Sequence, residues 1–194
     1  MLENWILYLV GPPGVGKLTV AKHLCRDLGC RLIDNHYWLN PIFRLIEQDG
    51  VTPLPAGVWP LTEYVRQAVF ETIATHSPAT WNFVFTQAAV GGAEFEEANR
   101  SISDAIAALV SQRKARALAI QLTCAPEELV RRVMQPERRA LMKECDENAA
   151  HENARRPAFD PGWRQVLTID TTALSPRETA DRIIAHAEAI DRLQ

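Results

Sequence analysis

The sequence predicts an α/β fold, a five-stranded parallel sheet with helices covering both faces. Three observations carry that expectation. Five short apolar runs recur along the 194 residues, each bounded by turn-forming or polar residues. Stretches with apolar residues at helical spacing lie between them. The first run leads directly into a glycine-rich turn and then a helix, as a strand does when it crosses over to a parallel neighbour.

Trp5–Val10 is the first strand, an unbroken apolar run that stops at Gly11-Pro12-Pro13. Val20, Ala21, Leu24 and Leu28 then share a helix face, and Gly29 supplies the stop. Residues 31–35 form the second strand and end on polar groups. A proline-rich turn between Pro53 and Pro60 separates two helical stretches. The second of these sets Leu61, Tyr64, Val65, Ala68, Val69, Thr72 and Ile73 on one face. Asn82–Thr86 is the third strand and Val90-Gly91-Gly92 a loop. The next helix is marked by Phe95, Ala98, Ile102, Ala105, Ile106 and Leu109. Residues 116–123 are the fourth strand, with Pro126 in the first turn of the helix that follows. The stretch 135–161 is polar and charged with no steady apolar period, which suits a lid. Gln165–Ile169 is the fifth strand. Ser175-Pro176-Arg177-Glu178 is a capping-box pattern opening a last helix that buries Ala180, Ile183, Ile184 and Ala187. No repeat or linker divides the chain, so residues 1–194 read as one domain, with 38–80 a helical insertion that would bind substrate.

With 47% hydrophobic and 23% charged residues, the composition is that of an ordinary globular protein. A formal net charge of −3 gives no reason to expect a nucleic-acid or membrane partner. Cys25, Cys30, Cys124 and Cys145 show no C-x-x-C pair and no zinc spacing, so they read as reduced packing thiols. The first residues carry no basic leader and the first apolar run is too short to span a bilayer. A cytoplasmic location is expected. The oligomeric state is not legible.

Gly11, Pro12, Pro13, Gly14, Val15, Gly16, Lys17, Leu18 and Thr19 nearly satisfy G-x-x-x-x-G-K-[ST], the phosphate-loop or Walker A pattern. The glycines let backbone N–H groups turn inward around a polyphosphate, and the following helix aims its positive end there. Lys17 supplies a cation for the outer phosphates. The setting between strand and helix is the one this motif requires; its plain alternative is a glycine-rich turn. One departure stands out. Leu18 occupies the position of the hydroxyl that ligates Mg²⁺, and Thr19 lies about 100° further round the helix.

The whole chain resembles the P-loop small-molecule kinases, a group with shikimate kinase, gluconate kinase and chloramphenicol phosphotransferase, and in particular uncharacterised bacterial AAA-type kinases with the same G-P-P-G-V-G-K opening. The resemblance is specific over residues 5–36, weaker over 126–145 and 165–185, and silent over 38–80. It implies a three-layer P-loop fold with a lid, ATP and Mg²⁺ as cofactors, and a small hydroxylated metabolite or antibiotic as acceptor. An acidic pair ends the second strand in such kinases; here the positions carry Asp34-Asn35-His36. By that correspondence Asp34 helps hold Mg²⁺ and His36 takes the acceptor's proton, which a neutral imidazole can do. The plain reading is a strand end followed by a helix cap. Arg132 and Arg138 match the arginines that pack on adenine and reach phosphate, with Arg131 and Arg139 beside them and Lys143, Arg155 and Arg156 as weaker candidates. A solvated basic helix face is the alternative. No acidic residue ends the third strand, so a Walker B carboxylate is missing; Gln87 there reads as substrate contact or loop entry. Tyr37, Trp38, Phe43 and Trp59 line an acceptor pocket or pack as core. Leu18 and the missing carboxylate sustain a second reading, a nucleotide-binding switch or degenerate kinase that binds ATP or GTP without efficient transfer.

Overall fold

The structure, a computed structural model, describes residues 2–47, 52–136, 138 and 145–193. All seven residues of β1 (Trp5–Gly11) are buried, as a strand with both faces covered must be. The sheet runs β2-β3-β1-β4-β5, every pairing parallel, with β2 (Arg31–Asp34), β3 (Phe83–Ala88), β4 (Arg116–Thr123) and β5 (Val166–Asp170). The first strand is therefore central, with β2 at one edge and β5 at the other.

Seven helices accompany it among the described residues: α1 (Lys17–Leu28), α2 (His36–Phe43), α3 (Val58–Thr75), α4 (Ala93–Arg113), α5 (Pro126–Val133), α6 (Glu147–Arg155) and α7 (Pro176–Arg192). Successive side chains of a strand point to opposite faces, so β1 feeds two cores. Leu7 and Leu9 pack with Val20, Ala21 and Leu24 of α1 and Ala180, Ile183 and Ala187 of α7. Ile6, Tyr8 and Val10 pack on the other face with Ile73 of α3 and Ile106 and Leu109 of α4. The expected capping box is present, with Ser175 accepting from the Glu178 N–H and Glu178 accepting from the Ser175 N–H at 2.8 Å.

Two helix faces differ from expectation. In α3 the buried line is Val58, Thr62, Arg66 and Ile73, whereas Leu61 and Tyr64 are exposed. Arg66 is only 5% exposed because it pairs with Glu63 at 2.8 Å and lies over the Phe70 ring, 5.6 Å from its centroid. A long stem with a paired head can occupy a core position that a hydropathy count assigns to solvent. In α4, Phe95 and Ala98 are exposed and Asn99 and Ser103 are buried. Asn99 donates to the Val90 carbonyl at 2.9 Å and Ser103 to the Pro161 carbonyl at 2.9 Å, so both satisfy their polar atoms inside the protein.

The polar stretch 135–161 is ordered in its described part. Asp146 caps α6, accepting from the Asn148 N–H at 2.8 Å, and α6 buries Ala150 against α5. Beyond it the chain is strapped to the body: Phe159 is buried, its carbonyl accepts from Gln121 at 2.9 Å, and the Pro157 carbonyl accepts from the Gly91 N–H at 2.8 Å. Charge density hides a segment held by backbone groups.

Candidate active site

The turn from β1 into α1 is shaped by backbone positions that a side chain would spoil. Gly14 has φ 89°, and a Cβ there would lie 2.6 Å from Val133 Cγ2. Gly16, the N-cap of α1, has φ 103°, a conformation L-residues rarely adopt. The first amides of α1, which lack intrahelical partners, therefore open onto the loop along with the positive end of the helix dipole. Lys17 folds back over the loop, its Nζ donating to the Gly11 carbonyl at 2.7 Å and the Pro12 carbonyl at 2.8 Å. A phosphate in the loop would meet that ammonium already in place.

This loop forms the middle of one cavity of about 770 Å³. Pro13, Gly14, Val15, Gly16, Lys17, Leu18 and Thr19 all line it. Its other walls come from opposite edges of the sheet. On the β2 side stand Asp34, Asn35 and His36. Asp34 ends β2 beside Thr86 of β3, whose hydroxyl donates to Asp34 Oδ2 at 3.0 Å, while Oδ1 accepts from the His36 N–H at 3.0 Å. The carboxylate is thus held in one orientation. His36 opens α2 and its Nδ1 pairs with Asn40 Oδ1, one helical turn on, at 3.0 Å. An amide oxygen only accepts, so Nδ1 is the donor of this pair.

On the β5 side, Arg132 of α5 donates to the Thr171 carbonyl at 2.9 Å, the Thr171 hydroxyl at 3.1 Å and the Val15 carbonyl at 3.4 Å. It therefore ties α5 and the loop after β5 to the phosphate loop. Glu128, one turn earlier, accepts from both Arg131 and Arg132, and those two guanidinium groups pull its carboxyl down to about 2. Arg131 and Arg138 line the same cavity. Arg139 and Lys143 lie outside the described residues.

Several expected residues stand elsewhere. Gln87 is 2% exposed and turned away from the loop: it accepts from the Tyr8 hydroxyl and donates to Asn99 Oδ1 at 3.1 Å. Its amide closes a core network, so it is neither a substrate contact nor an open loop entry. Burial in the same network pushes the Tyr8 hydroxyl well above its ordinary value. Arg156 pairs with Glu94 at 2.5 Å and covers the Phe95 ring, pinning the strap to α4, and Arg155 is exposed. Trp38 is core and Tyr37 exposed, whereas Phe43 and Trp59 reach the cavity. Thr86, Asn40, Glu128 and Thr171 carry no motif and were not legible. Thr86 and Thr171 hold a neighbour from another element, and only the i, i+4 spacings of His36–Asn40 and Glu128–Arg132, each within one helix, could have signalled the other two.

The family model for the AAA domain matches residues 6–160. The chain belongs to the AAA-domain family. Within it, the fold is that of the P-loop small-molecule kinases. A gluconokinase from Sinorhizobium meliloti superposes with a TM-score of 0.63 at 15% identity, covering 100% of this chain and 97% of that one. An APS kinase from Mycobacterium tuberculosis, in complex with AMPPNP and APS, gives 0.59 at 12% identity, covering 97% and 99%. Shikimate kinase from Acinetobacter baumannii, in complex with shikimate, gives 0.52 at 18% identity, covering 97% and 94%. No curated protein matches the chain. At such identities the likeness of this AAA-domain protein to the three kinases is one of fold. No helix among its described residues is long and apolar enough to cross a membrane.

Proposed function

We propose that the protein is an ATP-dependent phosphotransferase acting on a hydroxyl-bearing small molecule. One observation carries this reading: a single cavity joins the phosphate loop and Lys17 to the Asp34–His36 pair on one side and to Arg131, Arg132 and Arg138 on the other. Phosphoryl transfer needs little covalent chemistry from the protein; it needs the donor phosphates held, the developing charge neutralised and the acceptor aligned. The loop amides and Lys17 bind the phosphates. Arg138 and Arg131 place positive charge over the transferred group, while Arg132, fixed on Val15 and Thr171, faces the nucleotide. His36 takes the acceptor's proton beside the oriented carboxylate of Asp34.

The donor set fits a magnesium ion carried by the nucleotide's own oxygens, with Asp34 as the supporting carboxylate, since Mg²⁺ keeps most of its water and uses few protein ligands. Leu18 lines the cavity where a hydroxyl would otherwise serve. When bound, the ion would neutralise phosphate charge. The test is ADP release over an acceptor panel, with Asp34→Asn and His36→Gln for comparison. Turnover that falls by about a hundred-fold in either variant, within the range of general-base effects, is expected. Tight ATP binding with no turnover on any acceptor would refute the reading.

Leu18 favours one competing reading, a nucleotide-binding switch without efficient transfer. Magnesium separates the two: nucleotide affinity indifferent to Mg²⁺, with no turnover, would favour the switch.

A further inference from the structure

The cavity is polarised. Its cations among the described lining residues are Lys17, Arg131, Arg132 and Arg138, which come from the phosphate loop, α5 and the chain just after it. The β2 side, two strands from β1 and so about 10 Å away, is lined instead by Asp34, His36, Leu39, Phe43, Leu54 and Trp59. From His36 to Thr62 the sequence holds one Arg or Lys, Arg44, and it is exposed. The rings on this side form a row: His36 meets Phe43 edge-on at 6.3 Å, and Phe43 meets Trp59 edge-on at 6.2 Å. Trp59 remains 51% exposed at the cavity wall. Among the described residues on this side, a carboxylate or phosphate would find no guanidinium fork to replace its water. An aromatic or aliphatic face would instead cover the exposed Trp59 ring and the half-buried Leu39 and Leu54.

We propose that the β2 side of the cavity takes a neutral acceptor that carries its hydroxyl on an aromatic or apolar body. The inference rests on the phosphotransferase reading for its chemistry, but the binding claim can be tested alone. Benzyl alcohol and styrene glycol serve as neutral aromatic probes, shikimate and gluconate as anionic ones, and glucose as a neutral polar one. Binding is followed by tryptophan fluorescence in the wild type and Trp59→Phe, and turnover by ADP release. The aromatic alcohols are expected to quench the Trp59 signal saturably and to show kcat/KM at least about ten-fold above the other probes, a ratio within reach of apolar pocket discrimination. Trp59→Ala should raise KM for them with kcat little changed. Saturable quenching without ADP release would keep the acceptor class and sink the phosphotransferase reading. A ten-fold preference for shikimate, gluconate or glucose, or no Trp59-dependent quenching by any probe, would overturn the class.

A separate observation concerns the opposite end of α1. Cys25 and Cys30 sit either side of its Gly29 cap with their sulfurs 3.0 Å apart and hydrogen-bonded, both half-buried. Arg31, fixed over Trp81 at 3.5 Å from the ring centroid and donating to the Gly29 carbonyl at 3.1 Å, keeps a positive charge next to them. The hydrogen bond from Cys30 holds the Cys25 thiol below its ordinary value and pushes Cys30 above its own. The geometry points to a reversible dithiol site in which Cys25 is the attacking sulfur. With an organic hydroperoxide, the Cys25 thiolate takes the outer oxygen and releases an alcohol. The Cys30 thiol then displaces water from the sulfenic acid, so two thiols are oxidised as one peroxide bond is reduced. Treatment of the whole protein with tert-butyl hydroperoxide should remove the mass of two hydrogens, link the peptides of Cys25 and Cys30, and be undone by dithiothreitol. Cys30→Ser should instead hold a sulfenic acid at Cys25, trapped by dimedone. A sulfinic acid at Cys25 in the wild type, a link to another cysteine, or an unchanged mass would overturn the assignment.

Discussion

Replacing Arg132 by alanine separates two roles that the structure gives it at once. The guanidinium is a tie, with three bonds to Val15 and Thr171, and it is also a charge on the wall of the cavity proposed to hold the nucleotide. As a tie its loss is modest. The Val15 carbonyl keeps the Thr171 hydroxyl as a donor at 3.2 Å, and the Thr171 hydroxyl also reaches the Thr123 carbonyl at 3.0 Å. The Thr171 carbonyl loses its bond from Arg132, and Glu128 loses one of its two arginines but keeps Arg131 at 2.6 Å. The carbonyl bond and the partly exposed ion pair with Glu128, made by a side chain that is 22% exposed, are together worth about 1–2 kcal/mol. For a chain of this length that lowers Tm by about 3–6 °C. As a nucleotide ligand, Arg132 adds a charged contact of about 1.5–3 kcal/mol, so the ATP Kd should rise about ten- to a hundred-fold. Scanning fluorimetry without nucleotide measures the first effect and titration calorimetry with ATP the second. A Tm drop of the expected size with the Kd unchanged within about two-fold would show that Arg132 braces the loop and does not bind nucleotide.

Three further outcomes follow from the site. Lys17→Ala should weaken ATP binding by at least about a hundred-fold, since the ammonium is held at the mouth of the loop and a buried charged contact is lost; equilibrium dialysis with labelled ATP checks this. Thr86→Val keeps shape but removes the hydroxyl that orients Asp34. Turnover should fall about ten-fold with the nucleotide Kd intact, and an equal loss in both would place Thr86 in general stability instead. On protonation Glu128 loses its charge-assisted pairing with two arginines. Its folded value is depressed to about 2 from an ordinary 4.5, so its contribution is fully present above that ordinary value and disappears as pH falls toward 2. Glu128→Gln should flatten part of the fall in Tm over that window, and a melting curve in acid identical to the wild type's would contradict it.

Much of the fold is legible in the primary structure because its signals are local. An apolar run buried on both faces, a glycine that must take positive φ, and a Ser175–Glu178 box each depend on a few neighbouring residues. The phosphate loop belongs to this class, since Gly14, Gly16 and Lys17 act within one turn of chain. The helix faces of α3 and α4 misled where a polar side chain found its partner inside. Arg66 and Asn99 count as solvent-facing on any hydropathy scale, and their burial depends on Glu63, Phe70, Val90 and Gln87. The anchoring of residues 157–159 was not legible for a related reason, because Pro157 and Phe159 are held through their carbonyls, which every residue type possesses.

The sequence by itself determined a P-loop motif between the first strand and the first helix, because backbone conformation and one lysine suffice for it. Tertiary structure alone decided what that loop faces. Asp34 is oriented by Thr86, 52 residues away, and Arg132 reaches Val15 across 117. Pairings that distant leave no periodicity to read; they arise only when the strand order β2-β3-β1-β4-β5 brings both edges of the sheet around one cavity.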